Sequence, residues 1–174
     1  IFFLKYSYYI TMNINYVREC ARLLATHQKR ISCAESATAG HFCSSLSLMP
    51  ESGKILIGGV VCYDADVKTS LLGIPKEFID EFTPESSEVT RALVESLPKF
   101  FKSEVYLAIT GLVSPGGSET PEKPVGTIFI HAKIDDKHYS VRQVFSGSPE
   151  QIVLQAVNRA AQCIADALME SESH

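Results

Sequence analysis

The sequence predicts a single α/β domain, a three-layer α/β/α sandwich built on a mixed β-sheet. Three observations carry that expectation. Helical spacing alternates with short β-branched runs as far as Thr110, two strand patterns then follow one another around a short turn, and the chain ends in a long amphipathic stretch. Helix–strand alternation calls for parallel strands with helices on both faces, while the hairpin adds antiparallel neighbours. At 174 residues, 45% hydrophobic and 21% charged, the chain has the size and composition to bury one substantial core.

The elements follow in order. From Asn15 to His27, Val17, Cys20, Ala21 and Leu24 recur at helical spacing. "RISCAE" reads as a short strand ending in small residues, and a helix is expected from Thr38 to Leu48, closed by Pro50. "KILIGGVVCY" (54–63) reads as a buried strand, its two glycines marking a bulge or close packing. "DADVKTSLLG" predicts a helix with Asp64 as N-cap and Gly73 as its stop. Helices are expected over Lys76–Glu81 and Pro84–Ser96, the second with Pro at its first position after Thr83. "EVYLAIT" (104–110) is a strand entering the loop "GLVSPGGSETPEKPVG". "TIFIHAKI" and "HYSVRQVF" form a hairpin around "DDK". A final helix from Ser148 places Val153, Ala156, Val157, Ala160 and Ile164 on one face.

Residues 1–11 are apolar and aromatic but lack a basic leader and a small-residue cleavage site. They are expected to be a non-native or disordered extension preceding a domain over 12–174, with Met12 as the start; the alternative is an edge strand or docking tail. The formal net charge of −4 argues against nucleic acid or an anionic membrane as partner, and leaves room for a small phosphorylated ligand. No apolar run is long enough to span a membrane. Five cysteines at wide spacings and five scattered histidines make no zinc pattern, so no metal is expected. Such cysteines suit small buried positions in a reducing cytoplasm.

The chemistry centres on "CAESATAGHFCSSLS" (33–47), where a strand hands over to a helix. That edge of an open α/β sheet is where ligands bind. Ser36 there is either a nucleophile, given a base and an oxyanion hole, or, like Thr38, a helix cap contributing about 1 kcal/mol. Ser44, Ser45 and Ser47 read as ordinary helix residues, and Cys33 and Cys43 as packing. No histidine is placed by sequence to serve Ser36. Lys68 is the other base available, if it is desolvated rather than a solvated surface lysine. Tyr63 is either core or a polar neighbour. The loop after Thr110, with Gly111, Gly116 and Gly117, either brings backbone amides to a ligand or is a rigid connector. It is not a P-loop, since no GK[ST] ends it.

Three segments together resemble one family. "AESATAG" resembles "AESCTGG", "GGVVCYDADVK" resembles "GGVVAYSNEVK", and "TGLVSPGGSETPEKPVGT" resembles "SGIAGPGGGTPEKPVGT". On these motifs the chain is identified as a member of the CinA (competence/damage-inducible) C-terminal domain family, over nearly all of 14–170. The enzymatic members of that family are nicotinamide mononucleotide deamidases. The resemblance implies an α/β/α amidohydrolase, cytoplasmic, without metal or other cofactor, acting on a small-molecule amide and assembling as a homo-oligomer, with a dimer favoured. It implies Ser36 as nucleophile, Lys68 as proton acceptor and Tyr63 completing the polar network. It further implies ligand contacts from Glu35, Thr38, Gly40, Ser52, Thr110, Gly111, Gly116 and Gly117. The sequence departs from the pattern at Ala37, where the family has Cys, and at three further positions. The family's "PGSS" is "PESG" here, putting Gly53 where a second serine stands and leaving Ser52 beside it. In "FSGSPEQIV", Pro149 and Val153 replace two arginines, of which one would hold a ligand phosphate. Arg142 and Lys123 are the candidate replacements. An unphosphorylated amide substrate, or a binding domain without turnover, are the alternatives these departures suggest.

Overall fold

The computed structural model describes residues 16–170, and the expectation for residues 1–11 lies outside them. A helix over 16–26, α1, leads into β1 (Ile31–Glu35), followed by α2 (His41–Ser47), α3 (Ser52–Ile55) and β2 (Leu56–Val61). Three helices come next: α4 (Ala65–Ser70), α5 (Lys76–Phe82) and α6 (Ser87–Ser96), the last running into a short 3₁₀ turn. β3 (Val105–Gly111), β4 (Thr127–Ile134), β5 (Lys137–Val144) and α7 (Pro149–Glu170) complete the chain. The five strands form one sheet in the order β2-β1-β3-β4-β5. β1 is parallel to both β2 and β3, while β4 and β5 are antiparallel additions. This is the expected single-domain α/β fold on a mixed sheet.

The period of two along each strand divides the core between the faces. Ile31 and Cys33 of β1, and Val105, Leu107 and Ile109 of β3, join α1, α2 and α7 in one cluster. Ala34 and Ala108 point the other way, into a second cluster with Leu72, Ile79, Val89, Leu93 and Val94. Helices therefore cover both faces. The connection leaving β1 lies on one face and α6, which leads into β3, on the other, so a switch point falls between the C-terminal ends of β1 and β3. In open α/β sheets ligands bind in such a crevice.

Several expected boundaries move, each for a local reason. α2 begins at His41 rather than Thr38, because Ala39 and Gly40 are left-handed, with φ of 47° and 95°. A left-handed turn cannot continue into an α-helix, and Gly40 takes the second of these positions without a Cβ penalty. α6 starts at Ser87 with Ser86 as its cap, its Oγ accepting from the Val89 amide, so Pro84 lies outside the helix. β2 is an edge strand with alternating exposure rather than a buried run, and α3 forms just ahead of it. Along α7, Ile152 takes the buried position expected of Val153, which is half-buried.

Candidate active site

Ser36 follows directly on β1, its amide donating to the Ile109 carbonyl of β3 at 2.9 Å. This bond extends the β1–β3 ladder by one step and fixes the serine at the switch point. Ser36 and Lys68 are 6% and 1% exposed, so both are enclosed by protein. Lys68 Nζ lies 3.2 Å from Ser36 Oγ. It also donates to the Cys62 carbonyl at 2.8 Å and the Tyr63 carbonyl at 3.3 Å. Asp64 sets the lysine's direction, because its side chain caps α4 through the Asp66 amide.

Burial depresses the Lys68 pKa below the ordinary lysine value, against the opposing pull of Cys62, Glu85 and Asp64. Desolvation favours the uncharged amine. An amine has two N–H groups and one lone pair, which match two carbonyls and one hydroxyl donor. The cluster can thus pass a proton between Ser36 Oγ and Lys68 Nζ without losing a hydrogen bond.

Neither Ser36 nor Thr38 caps α2. That task falls to Glu35, the last residue of β1, which is 1% exposed. Its carboxylate accepts from Thr38 Oγ1 at 2.6 Å and from the amides of Gly40, Phe42 and Cys43 at 3.1, 3.0 and 2.9 Å. An acid buried at a helix N-terminus is favourable because it meets otherwise unpartnered donors. Glu35, Thr38 and Gly40 therefore hold the turn that carries Ser36. The amides of Ala37 and Thr38 have no acceptor among the described residues.

The remaining expected site residues divide between floor, loop and periphery. Tyr63 contributes its carbonyl to Lys68, and the residue is 63% exposed. Thr110 is fully buried on the floor, hydrogen-bonded to Thr90 Oγ1 at 2.7 Å. Gly111 lies against β4, where a Cβ would come 2.5 Å from the Thr127 carbonyl oxygen at a φ of +153°. Gly116 donates to Glu119 Oε1 at 2.8 Å, and a Cβ on Gly117 would press on Leu112. Ser52 opens α3, and Gly53 faces open space with nothing within 4 Å of a Cβ. Among the described residues, no group of three or more His, Cys, Asp or Glu side chains is arranged to hold a metal ion.

Sequence reasoning did not reach Thr90, the Cys62 carbonyl, or the set Thr83, Glu85 and Ser118 that surrounds Lys123. The contacts of Thr90 with Thr110 and of Thr83 and Glu85 with Lys123 join segments 20 to 40 residues apart. The one local signal was the polar run "TPESSEV" ahead of α6.

A three-layer α/β/α domain with an enclosed serine–lysine pair at a sheet switch point is the class that fold and site define. The model of the CinA C-terminal domain matches residues 14–168, and the chain belongs to that family. A CinA-like protein of Thermotoga neapolitana is 35% identical over 131 residues, 75% of this chain and 32% of that protein. A putative competence-damage inducible protein of Desulforudis audaxviator is 39% identical over 100 residues, 58% of this chain and 24% of that one. The chain thus spans about a third or less of the length of these curated relatives. Among solved structures, a CinA-superfamily protein of Klebsiella pneumoniae superposes with a TM-score of 0.85. It shares 23% identity, and the match covers 91% of this chain and 98% of that one, a likeness of fold. No helix among the described residues is long and apolar enough to cross a membrane.

Proposed function

We propose that the domain is an amidohydrolase in which Ser36 attacks the carboxamide of a nicotinamide nucleotide and Lys68 handles the protons. The observation that carries this reading is the 3.2 Å contact between a buried lysine and a buried serine at the ligand-binding edge of the sheet. Ser36 Oγ adds to the amide carbon as its proton passes to the Lys68 amine. The resulting oxyanion takes hydrogen bonds from the amides of Ala37 and Thr38, next to the nucleophile in the chain. Collapse breaks the C–N bond, and the Lys68 proton leaves with the nitrogen as ammonia. Water then attacks the acyl-serine ester with Lys68 again accepting a proton, and that proton returns to Ser36 Oγ as the carboxylic acid departs. The products are nicotinate mononucleotide and ammonia.

The test is ammonia release from nicotinamide mononucleotide by the purified chain. Turnover is expected, and Ser36→Ala and Lys68→Ala are each expected to reduce kcat/KM by at least ~10³-fold. Turnover that survives both substitutions sinks the reading. A second reading, a ligand-binding domain without turnover, is favoured by Gly53, which leaves open space where the family pattern has a serine. It predicts a ligand-induced rise in Tm with no ammonia.

A further inference from the structure

A second polar cluster gathers at the same end of the sheet, in the loop between β3 and β4. Lys123 Nζ donates to Thr83 Oγ1 at 2.6 Å, Ser118 Oγ at 2.7 Å and the Glu85 main-chain carbonyl at 3.0 Å. All three acceptors are neutral oxygens, and Lys123 has no ion-pair partner among the described residues. The Glu85 carboxylate accepts instead from Ser118 Oγ. Arg142 of β5 comes close enough for its charge to bear on Lys123. Its guanidinium lies over the Phe129 ring, 5.8 Å from the centroid, and Nη2 donates to the Glu122 carbonyl. One hydrogen bond uses one of five guanidinium donors, and the residue is exposed.

Register ties this cluster to Ser36. Thr110 pairs with Phe129, and Phe129 with Arg142, forming one row across β3, β4 and β5. Thr110 meets α6 through Thr90, and Lys133 meets it through Glu95, so this row projects on the α6 face. Two strand spacings, ~10 Å, separate the backbones of Thr110 and Arg142. Arg142 leans inward over Phe129, towards the serine. Ser36 lies one strand spacing further, off the end of β1, and the Arg142 side chain over Phe129 shortens that span towards the carboxamide-to-phosphate reach of an extended mononucleotide.

We propose that Lys123 and Arg142, with the hydroxyls of Thr83 and Ser118, form the anion subsite for the phosphate of a ligand whose carboxamide lies at Ser36. The subsite stands in for the arginines replaced by Pro149 and Val153 on α7. An ammonium and a guanidinium brought together, with Glu85 the one carboxylate whose charge bears on Lys123, suit a phosphomonoester, and Arg142 can bind two of its oxygens. The hydroxyls can turn to donate to a phosphate oxygen once it displaces them from Lys123. Glu85 is the opposing charge, weakening the subsite for anions. The identity of the carboxamide end rests on the function proposed above; the anion preference does not.

The experiment is calorimetric titration of the intact chain with nicotinamide mononucleotide and with nicotinamide riboside, which lacks the phosphate. The mononucleotide is expected to bind at least about tenfold tighter. Arg142→Gln and Lys123→Met should each narrow that ratio, and Glu85→Gln should widen it. Because Lys123 also ties the loop to the α5–α6 turn, Lys123→Arg serves as the charge-retaining variant and should preserve the preference. Equal affinities, binding of neither compound, or a ratio unmoved by both charge-removing substitutions would overturn the proposal. Selective binding with no ammonia released keeps the subsite and removes the hydrolytic reading. Ammonia released from both compounds with equal kcat/KM does the reverse.

Discussion

At the scale of single residues, the role proposed for Lys68 makes the reaction depend on pH. Only the uncharged amine accepts the serine proton, so kcat/KM should rise with pH through a lysine pKa held by burial below its ordinary value. A pH–rate profile with no rising limb at any pH below the ordinary lysine value would argue against Lys68 as the base. Glu35 has a different task, since its carboxylate gathers four donors around the turn. Glu35→Ala leaves those buried donors unpaired and is expected to cost at least ~2 kcal/mol in urea unfolding. Motif resemblance pointed to both residues, but only coordinates separate their roles. Glu35 and Ser36 are neighbours on a strand whose side chains alternate between faces, so one caps α2 while the other meets Lys68.

At the scale of elements, the alternation of helix and strand and the closing hairpin were legible because both rest on local periodicity. What was not legible depends on neighbours. The run 54–63 looks buried by composition, yet β2 lies at the sheet edge and alternates in exposure. The delayed starts of α2 and α6 come from two left-handed residues and from Ser86, where Thr38 and Thr83 were equally good caps on paper. The Lys123 cluster joins residues up to 40 positions apart, beyond any local pattern. At Gly111, β4 passes so close that an added methyl group meets the main chain of Thr127 and Ile128 as well as the Ile128 side chain. Gly111→Ala should therefore destabilise the domain by ~2 kcal/mol or more, read as a lower urea midpoint at an unchanged m-value.

At the scale of the whole molecule, stability depends on pH through a histidine midway along β4. His131 is buried on β4 between Ser140 and His138 of β5, at 2.7 and 2.9 Å. Burial, with His138 and Arg91 nearby, pushes its pKa down to about 4. Between that value and the ordinary 6.5, the unfolded chain holds a proton that the folded chain does not. Stability therefore falls as pH drops through this window, by up to ~3 kcal/mol. Tm measured from pH 7 to pH 4 should fall more steeply in the native chain than in His131→Gln, and parallel curves would refute the assignment.

Ser36 and Lys68 stand 32 residues apart and belong to different elements. Nothing short of the docked β1–α4 arrangement brings them together, so an unfolding chain should lose its chemistry in the same step as its structure. A serine-directed electrophile would then act as a clock for folding. Its rate of attachment to Ser36, followed across a urea gradient, should trace the cooperative loss of the native state rather than a gradual loosening of the site.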